Sequence, residues 1–228
     1  MSFGLTLVLD GSTYAGSVAV IRDLTVIAQA QLPDSDIPGR GGRDEKFFPM
    51  VAHTLDAAGV RPFQLDRVIC GAGPGSFTSL RVAASIAKGI AVGSNRELFA
   101  VSSLMLMVAD MEPGKYMATL PAMRGELFAG VFDVSANSVV AQGAPALVSD
   151  AAVAELAKSA GAALVSSTAR SQDASVTRTP HARAAAKVLA SVIDSGPCDI
   201  DSWEPLYGRL AEAQVKWEAA HGRPLSVG

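Results

Sequence analysis

Two short stretches hold the residue types with which this chain could do chemistry. The first is Asp10-Gly11-Ser12-Thr13, set between two apolar runs. A carboxylate followed by small residues can wrap a phosphate, because backbone amides then come close to the phosphate oxygens. The same residues also build an ordinary hairpin turn. The second stretch, Gly71 to Arg81, reads GAGPGSFTSLR and links a strand-like run to a helix-like one. Amides exposed at a helix N-terminus can hold an anion. Yet the run matches neither G-x-G-x-x-G nor G-x-x-x-x-G-K-[ST], and no lysine accompanies it. Pro74-Gly75 predicts a tight turn, of type II with positive φ at Gly75, and Thr78 or Ser79 is placed to cap the helix that follows. Arg81, in the first helical turn, opposes the helix dipole and so calls for an acidic or carbonyl partner outside its own helix.

Elsewhere the chemistry is sparse. His53, His181 and His221 are too dispersed to pair as metal ligands, and sequence alone nominates no Ser/His/Asp triad. Cys70 and Cys198 belong to no C-x-x-C pair and read as reduced thiols, with Cys70 a small hydrophobe in an apolar strand. No second phosphate hairpin of the Asp10 kind and no Gly-Gly pair follows Ser102, so half of a two-sided nucleotide clamp is missing.

The elements that position these residues follow from the hydrophobic pattern. Leu5–Asp10, Ser17–Ile21 and Thr25–Leu32 read as an antiparallel meander, because apolar runs are separated by turn formers. A loop rich in Gly and Pro covers 33–43, and Asp44 then caps a helix over Lys46–Ala58, with Pro49 confined to its first turn. A strand at Arg67–Ala72, a helix at Leu80–Val92 and a strand at Leu98–Val101 complete the order βββαβαβ, that of a ribonuclease-H-like first lobe. The second half repeats the texture more loosely, with a helix at Leu104–Asp110 and strands at Tyr116–Leu120, Glu126–Phe132 and Val139–Ala141. Helices at Asp150–Ala160 and Ala182–Ile193 flank a polar stretch, Ser166 to Thr179, read as a loop. A terminal helix, Leu206–Ala220, carries an apolar stripe. The expected division is a first lobe at 1–103, a smaller second lobe at 104–202, and 203–228 packing back on the first.

Composition bounds the function. The chain is 49% apolar and 18% charged, with mean hydropathy +0.29, which suggests apolar surface covered by a partner. Its formal net charge is −3 and its 19 Lys and Arg are scattered, so no basic stripe favours direct nucleic-acid binding. No apolar run approaches membrane-spanning length and the first residues form no signal peptide, so the expected compartment is the cytoplasm, with no membrane partner. Ala83, Ala87 and Ala91, spaced by four, line one face of the second helix with small side chains, and Phe47, Met50, Val51 and Leu55 line the first. Either these stripes meet a partner or they bury against the lobe's own sheet.

The run Gly73-Pro74-Gly75-Ser76-Phe77-Thr78-x-Leu80-Arg81 resembles the signature of the TsaB (YeaZ) family, subunits that support threonylcarbamoyladenosine formation in tRNA. Ordered matches extend the likeness: Asp10 to Ala19, Phe48-Pro49-Met50-Val51, Val101-Ser102-Ser103-Leu104, Gly125-Glu126 and Glu204-Pro205-Leu206-Tyr207-x-Arg209. The chain departs from the family pattern at Arg43, Ser79, Pro121 and Gly208. The resemblance implies an α/β chain with a two-lobed, actin-like ATPase (ribonuclease-H-like) fold and a reduced second lobe. It implies a subunit without transfer activity of its own, paired with TsaD, its metal-bearing catalytic paralogue, and joined by TsaE, a small ATPase. The chain would reach tRNA only through that complex, and would form a homodimer when alone. It implies no cofactor of the chain's own, but ADP or ATP at the interface with TsaD, near Asp10, Ser12, Thr13, Gly73, Gly75 and Ser76. The partner surface would comprise Phe47, Met50, Val51, Arg81, Ala83, Ala87 and Ala91. Two alternatives remain open at this point: an actin-like small-molecule kinase using Asp10 and the Gly73–Thr78 turn, and a glycoprotease-like hydrolase.

Overall fold

A computed structural model describes residues 3–33, 43–122, 124–169 and 175–207. Strands β1 (Leu5–Asp10), β2 (Ser17–Arg22) and β3 (Thr25–Gln31) form the expected meander, with an irregularity between Val20 and Ile21. Nearly every residue of β1 and β2 is buried, which is why both read as continuous apolar runs rather than alternating ones. Strand β4 (Arg67–Gly71) pairs in parallel with β1, and β5 (Glu97–Val101) in parallel with β4, giving the order β3-β2-β1-β4-β5. The parallel connections are made by helices α1 (Arg43–Ala57) and α2 (Phe77–Ser94).

Both helices begin earlier than the sequence suggests. Because α1 starts at Arg43, Pro49 lies in its second turn and forfeits the bond to the carbonyl four residues back. Helix α2 starts at Phe77, so Ser76 takes the N-cap position and neither Thr78 nor Ser79 caps. The Ser76 hydroxyl instead donates to Ser79 Oγ at 3.2 Å.

The second sheet follows α3 (Ser103–Val108). It comprises β6 (Gly114–Ala122), β7 (Glu126–Val134), β8 (Val139–Ala141), β9 (Ala146–Ser149), β10 (Ala163–Ser166) and β11 (Val176–Thr177), with α4 (Val153–Ser159) before β10. The main path runs β11-β10-β6-β7-β8, and β9 pairs with β7 beyond β8. An antiparallel meander, then two parallel strands beside its first strand, repeats the connectivity of the first sheet in shorter elements. Three of these strands escape the sequence pattern: β9 and β10 are four-residue Ala-Leu-Val-Ser segments, and β11 lies inside the stretch read as loop. Pro121 sits in β6 beyond the residues that β10 pairs, so its missing N–H breaks no ladder bond on that side. A 3-10 turn (Ala182–Ala184) and helix α5 (Ala185–Asp194) end the regular structure. Trp203–Tyr207 is not helical; the rest of the expected terminal helix lies outside the described residues, as does Gly208.

Strand alternation divides the core. Leu7, Leu9, Val18 and Val20 face α1 and α2, while Val8, Ala19 and Ile21 face the opposite side. There they meet Leu104 and Met107 of α3, Ala118, Phe132 and Val165 of the second sheet, and Val188 and Leu189 of α5 in one shared core. A further cluster, including Met117, Leu127 and Val153, lies under α4.

The face of α1 and α2 expected to meet a partner is in fact the inner one. Ala83, Ala87 and Ala91 are 0% exposed, and Phe47, Met50 and Val51 are at most 8% exposed, all packed with the first sheet. Small side chains let α2 lie close to the strands, and the stripe is spent there. The outward residues of these helices include Phe48, 59% exposed, and Val92, 66% exposed. No helix among the described residues is long and apolar enough to cross a membrane.

The segment around the 3-10 turn ties the second sheet's edge to the first. Ala182 N donates to Ser17 Oγ at 2.9 Å, and Gln31 Nε2 donates to Thr179 Oγ1 at 3.2 Å. Asp110 accepts from Arg178 Nη2 at 2.6 Å and pairs with Arg183 Nε at 3.5 Å. Between them His181 Nδ1 accepts from Arg183 N at 3.2 Å. Burial, then the Arg183 charge, push His181 down from 6.5 to about 4, with Asp110 opposing and Arg178 adding to the fall.

Two outcomes follow. Ala87→Arg puts a long cation into the α2–sheet seam, so it should abolish the cooperative thermal transition rather than act on association alone. His181 is held neutral in the folded state, so between pH 6.5 and about 4 the unfolded chain binds a proton that the folded chain refuses, and stability falls. Melting temperatures measured from pH 7 to pH 5 should therefore decline less steeply for His181→Gln than for the parent chain.

Candidate functional site

The first sheet delivers Asp10 to the C-terminal end of β1, where its side chain is 1% exposed. Its Oδ1 accepts from Ser12 N at 3.1 Å and from Ser12 Oγ at 2.6 Å. Its Oδ2 accepts from Ser103 Oγ at 2.6 Å. Ser103 is joined twice to the glycine turn: its Oγ accepts from Gly73 N at 3.0 Å, and its N donates to Gly73 O at 3.0 Å. The turn is joined to the hairpin by Ser76 N, which donates to Ser12 O at 2.8 Å. Burial pushes the Asp10 carboxyl upward, and the donors from Ser103 and Ser12 oppose that shift.

Glycines make this closeness achievable. A Cβ on Gly71 would stand 2.1 Å from Asp10 Oδ2, and one on Gly75 would stand 2.2 Å from Ser12 O. The positive φ of the turn falls at Gly73, at 80°, just before a cis Gly73–Pro74 peptide, and not at Gly75. Gly75 is required for its lack of a side chain, not for its backbone angle.

A strap made by the C-terminal segment covers the turn. Cys198 N donates to Leu98 O at 2.7 Å, and Leu206 N donates to Ala72 O at 2.7 Å. The Tyr207 ring lies 4.6 Å from the Phe77 ring, and Lys88 Nζ stands 5.9 Å from the centre of Trp203. Arg81 sits 5.5 Å over the Phe77 ring, an aromatic face one turn back on its own helix.

Of the nominated phosphate-binding residues, Asp10, Ser12, Gly73, Gly75 and Ser76 do converge, and Thr13 stands beside them with its Oγ1 buried and without a hydrogen-bond partner. They converge on one another. The amides of Ser12, Gly73 and Ser76 are occupied internally, and the Ser76–Ser12 bond brings the two loops into direct contact. The sequence reading missed Ser103. Ser102 is the helix cap, accepting from Met105 N at 3.4 Å, while the neighbouring serine turns inward. The Ser102-Ser103 pair ahead of an apolar run was the available signal. Both cysteines are free thiols, each shifted upward chiefly by burial. Among the described residues no three His, Cys, Asp or Glu side chains are grouped to hold a metal. A cavity of about 310 Å³, lined by Asp110, Glu112, Ser135, Ser138 and Lys187 among others, involves none of the Asp10 cluster.

Residues 43–196 match the family described as TsaD: tRNA N6-adenosine threonylcarbamoyltransferase. The chain belongs to the TsaD family. Within it the chain stands with the TsaB (YeaZ) proteins. It is 31% identical over 137 residues to the tRNA threonylcarbamoyladenosine biosynthesis protein TsaB of Escherichia coli K12, covering 58% of this chain and 57% of that protein. To the Bacillus subtilis protein of the same name it is 27% identical over 143 residues, covering 61% of this chain and 59% of the relative. The matched stretches thus span less than two thirds of these relatives' length. The structure of YeaZ from Pseudomonas aeruginosa superposes with a TM-score of 0.70 at 21% identity, covering 90% of this chain and all of that one. At that identity it establishes the fold: two mixed sheets in the actin-like, ribonuclease-H-like arrangement.

Gly75→Ala should force the Ser12 carbonyl away and cost roughly 1–3 kcal/mol, as overpacking does. Gly89→Ala, on α2 with nothing within 4 Å of the added methyl, is the matched control and should raise the melting temperature or leave it unchanged.

Proposed function

We propose that this chain is a cytoplasmic, non-catalytic subunit required for threonylcarbamoyl transfer to the adenosine beside the anticodon in tRNAs that read codons starting with A. It acts by binding and supporting a TsaD-like catalytic subunit. The observation that carries this reading is the Asp10 cluster in a TsaD-family chain: the family's fold is present, while the two loops that could clasp a phosphate are bonded to each other. That closure also weighs against a kinase built on Asp10 and the Gly73–Thr78 turn.

On this reading the partner is engaged through the outward sides of α1 and α2, where Phe48 and Val92 are exposed, while the inner stripe holds both helices on the sheet. A TsaE-like ATPase joins the pair, ADP or ATP lodges at the interface with the TsaD-like subunit, and tRNA is reached only through the complex. Without its partner the same apolar surface supports a homodimer.

Reconstitution decides the matter. The chain, a TsaD-like subunit, a TsaE-like ATPase, threonylcarbamoyl-adenylate and unmodified tRNA are combined, and modified adenosine is quantified by mass spectrometry of the digested tRNA. Product should form only when both the chain and the TsaD-like subunit are present, and Phe48→Glu should weaken their co-elution on a sizing column. Full turnover without the chain would refute the reading, as would ATP turnover by the chain alone that Asp10→Ala abolishes.

A further inference from the structure

We infer that the cavity of about 310 Å³ between the end of α3 and the β7–β8 turn binds a small aliphatic zwitterion of the α-amino-acid class, its carboxylate on Lys187 and its ammonium on Glu112. Three separate segments line it: the turn after α3, from Ala109 to Pro113; the β7–β8 turn, with Ser135 and Ser138; and Lys187, near the start of α5. Each is held in place by bonds or packing of its own. Met111 N donates to Val108 O at 3.0 Å and Tyr116 Oη donates to Glu112 O at 2.8 Å, which fixes the first segment. In the second, Ser135 N donates to Ser138 O at 2.8 Å and Ser138 N donates to Ser135 Oγ at 3.0 Å. The third belongs to a helix whose Val188 and Leu189 lie in the core shared by the two sheets. A site assembled in this way is formed before any ligand arrives.

The lining sorts into an apolar part and a charged part. Ala109 and Val139, 4% and 7% exposed, belong to the shared core, and Met111 packs against it. Glu112 and Lys187 are exposed and carry opposite charges. Neither has an ion-pair partner among the described residues. The third charged residue, Asp110, is already engaged, because Arg178 and Arg183 take its two oxygens. Buried apolar side chains beside two unpaired charges of opposite sign suit a ligand that carries both charges and a short aliphatic chain, since each charge then gains a charge-assisted hydrogen bond. A phosphate or a dicarboxylate would meet one unpaired cation and the repulsion of Glu112. A nucleoside would find no ring to stack on, because none of the lining residues is aromatic. The volume points the same way, lying at the lower end of the roughly 300 to 1,000 Å³ usual for small-molecule sites.

The test is a titration of the full chain followed by amide NMR, with L-valine as the probe and its two single-charge isosteres, 3-methylbutanoate and isobutylamine, as controls. L-Valine should shift the amides of Glu112, Ser138 and Lys187 saturably, and each control should bind on the order of tenfold more weakly, as loss of one charge-assisted contact requires. Lys187→Met should leave L-valine binding no tighter than isobutylamine, and Glu112→Gln should leave it no tighter than 3-methylbutanoate. Both side chains are exposed, so far-UV circular dichroism and melting temperature should stay at the parent's values. Absence of a saturable shift with L-valine overturns the inference, as does a control that binds the parent as tightly as L-valine, or a Lys187→Met chain that keeps the parent's affinity. Shifts confined to the amides of Ser12, Gly73 and Ser76 overturn it too, since they place the ligand at the Asp10 cluster.

Discussion

Burying a carboxylate inside an apolar sheet is tolerable only if donors surround it, and the region around Asp10 is organised by that demand. Hydrogen bonds from Ser12 and Ser103 offset its burial. Meeting it draws in a hairpin turn, the first residue of α3 and, through Gly73, the loop that starts α2. Each segment must then come close enough to bond, and glycine at 71 and 75 follows from the distances. The glycine-rich turn is therefore explained by packing against Asp10 and Ser12 before any ligand is invoked.

The same closeness explains the alanine stripe. Helix α2 begins directly at the turn, so its axis is held near the β1–β2 hairpin; a Cβ on Gly11 would meet Ser79 O at 2.5 Å and Ala83 Cβ at 2.8 Å. A helix held that close can present only small side chains inward. Ala83, Ala87 and Ala91 are thus the cost of the turn's geometry, and the apolar side chains these helices leave exposed include Phe48 and Val92.

The two sheets share one connectivity but differ in thickness. The first is covered by α1 and α2 on one face and by the shared core on the other; the second has only the short α4 on its outer face among the described residues. The clamp of Asp110 between Arg178 and Arg183 and the bond from Ala182 to Ser17 fasten the thin side to the thick one. Side chains of both sheets fill the apolar core between them, and the bond at Ser17 adds a polar tie to the segment before α5.

Where the pattern is local, the chain's own residues announce the structure. The meander, β4, β5, β6, β7 and β8 are legible because β-branched and apolar runs end at turn formers, and the TsaB-like run from Gly73 to Arg81 identifies the family before any coordinate is known. Strands β9, β10 and β11 are not legible, since two to four residues are too few to show a period and their neighbours in the sheet supply the pairing. The starts of α1 and α2 were misplaced because a proline and a glycine turn look like boundaries, whereas α1 begins at Arg43 and α2 at Phe77. The phosphate-like residues were nominated from their types, whereas the Gly73 amide is taken by Ser103, which meets Asp10 across 93 positions, beyond the reach of any spacing rule. Which side of an amphipathic helix is inside was likewise open, because a stripe of alanines has the same period whether it meets a sheet or a stranger. Only tertiary structure chooses, since only it decides which apolar surface is already out of water.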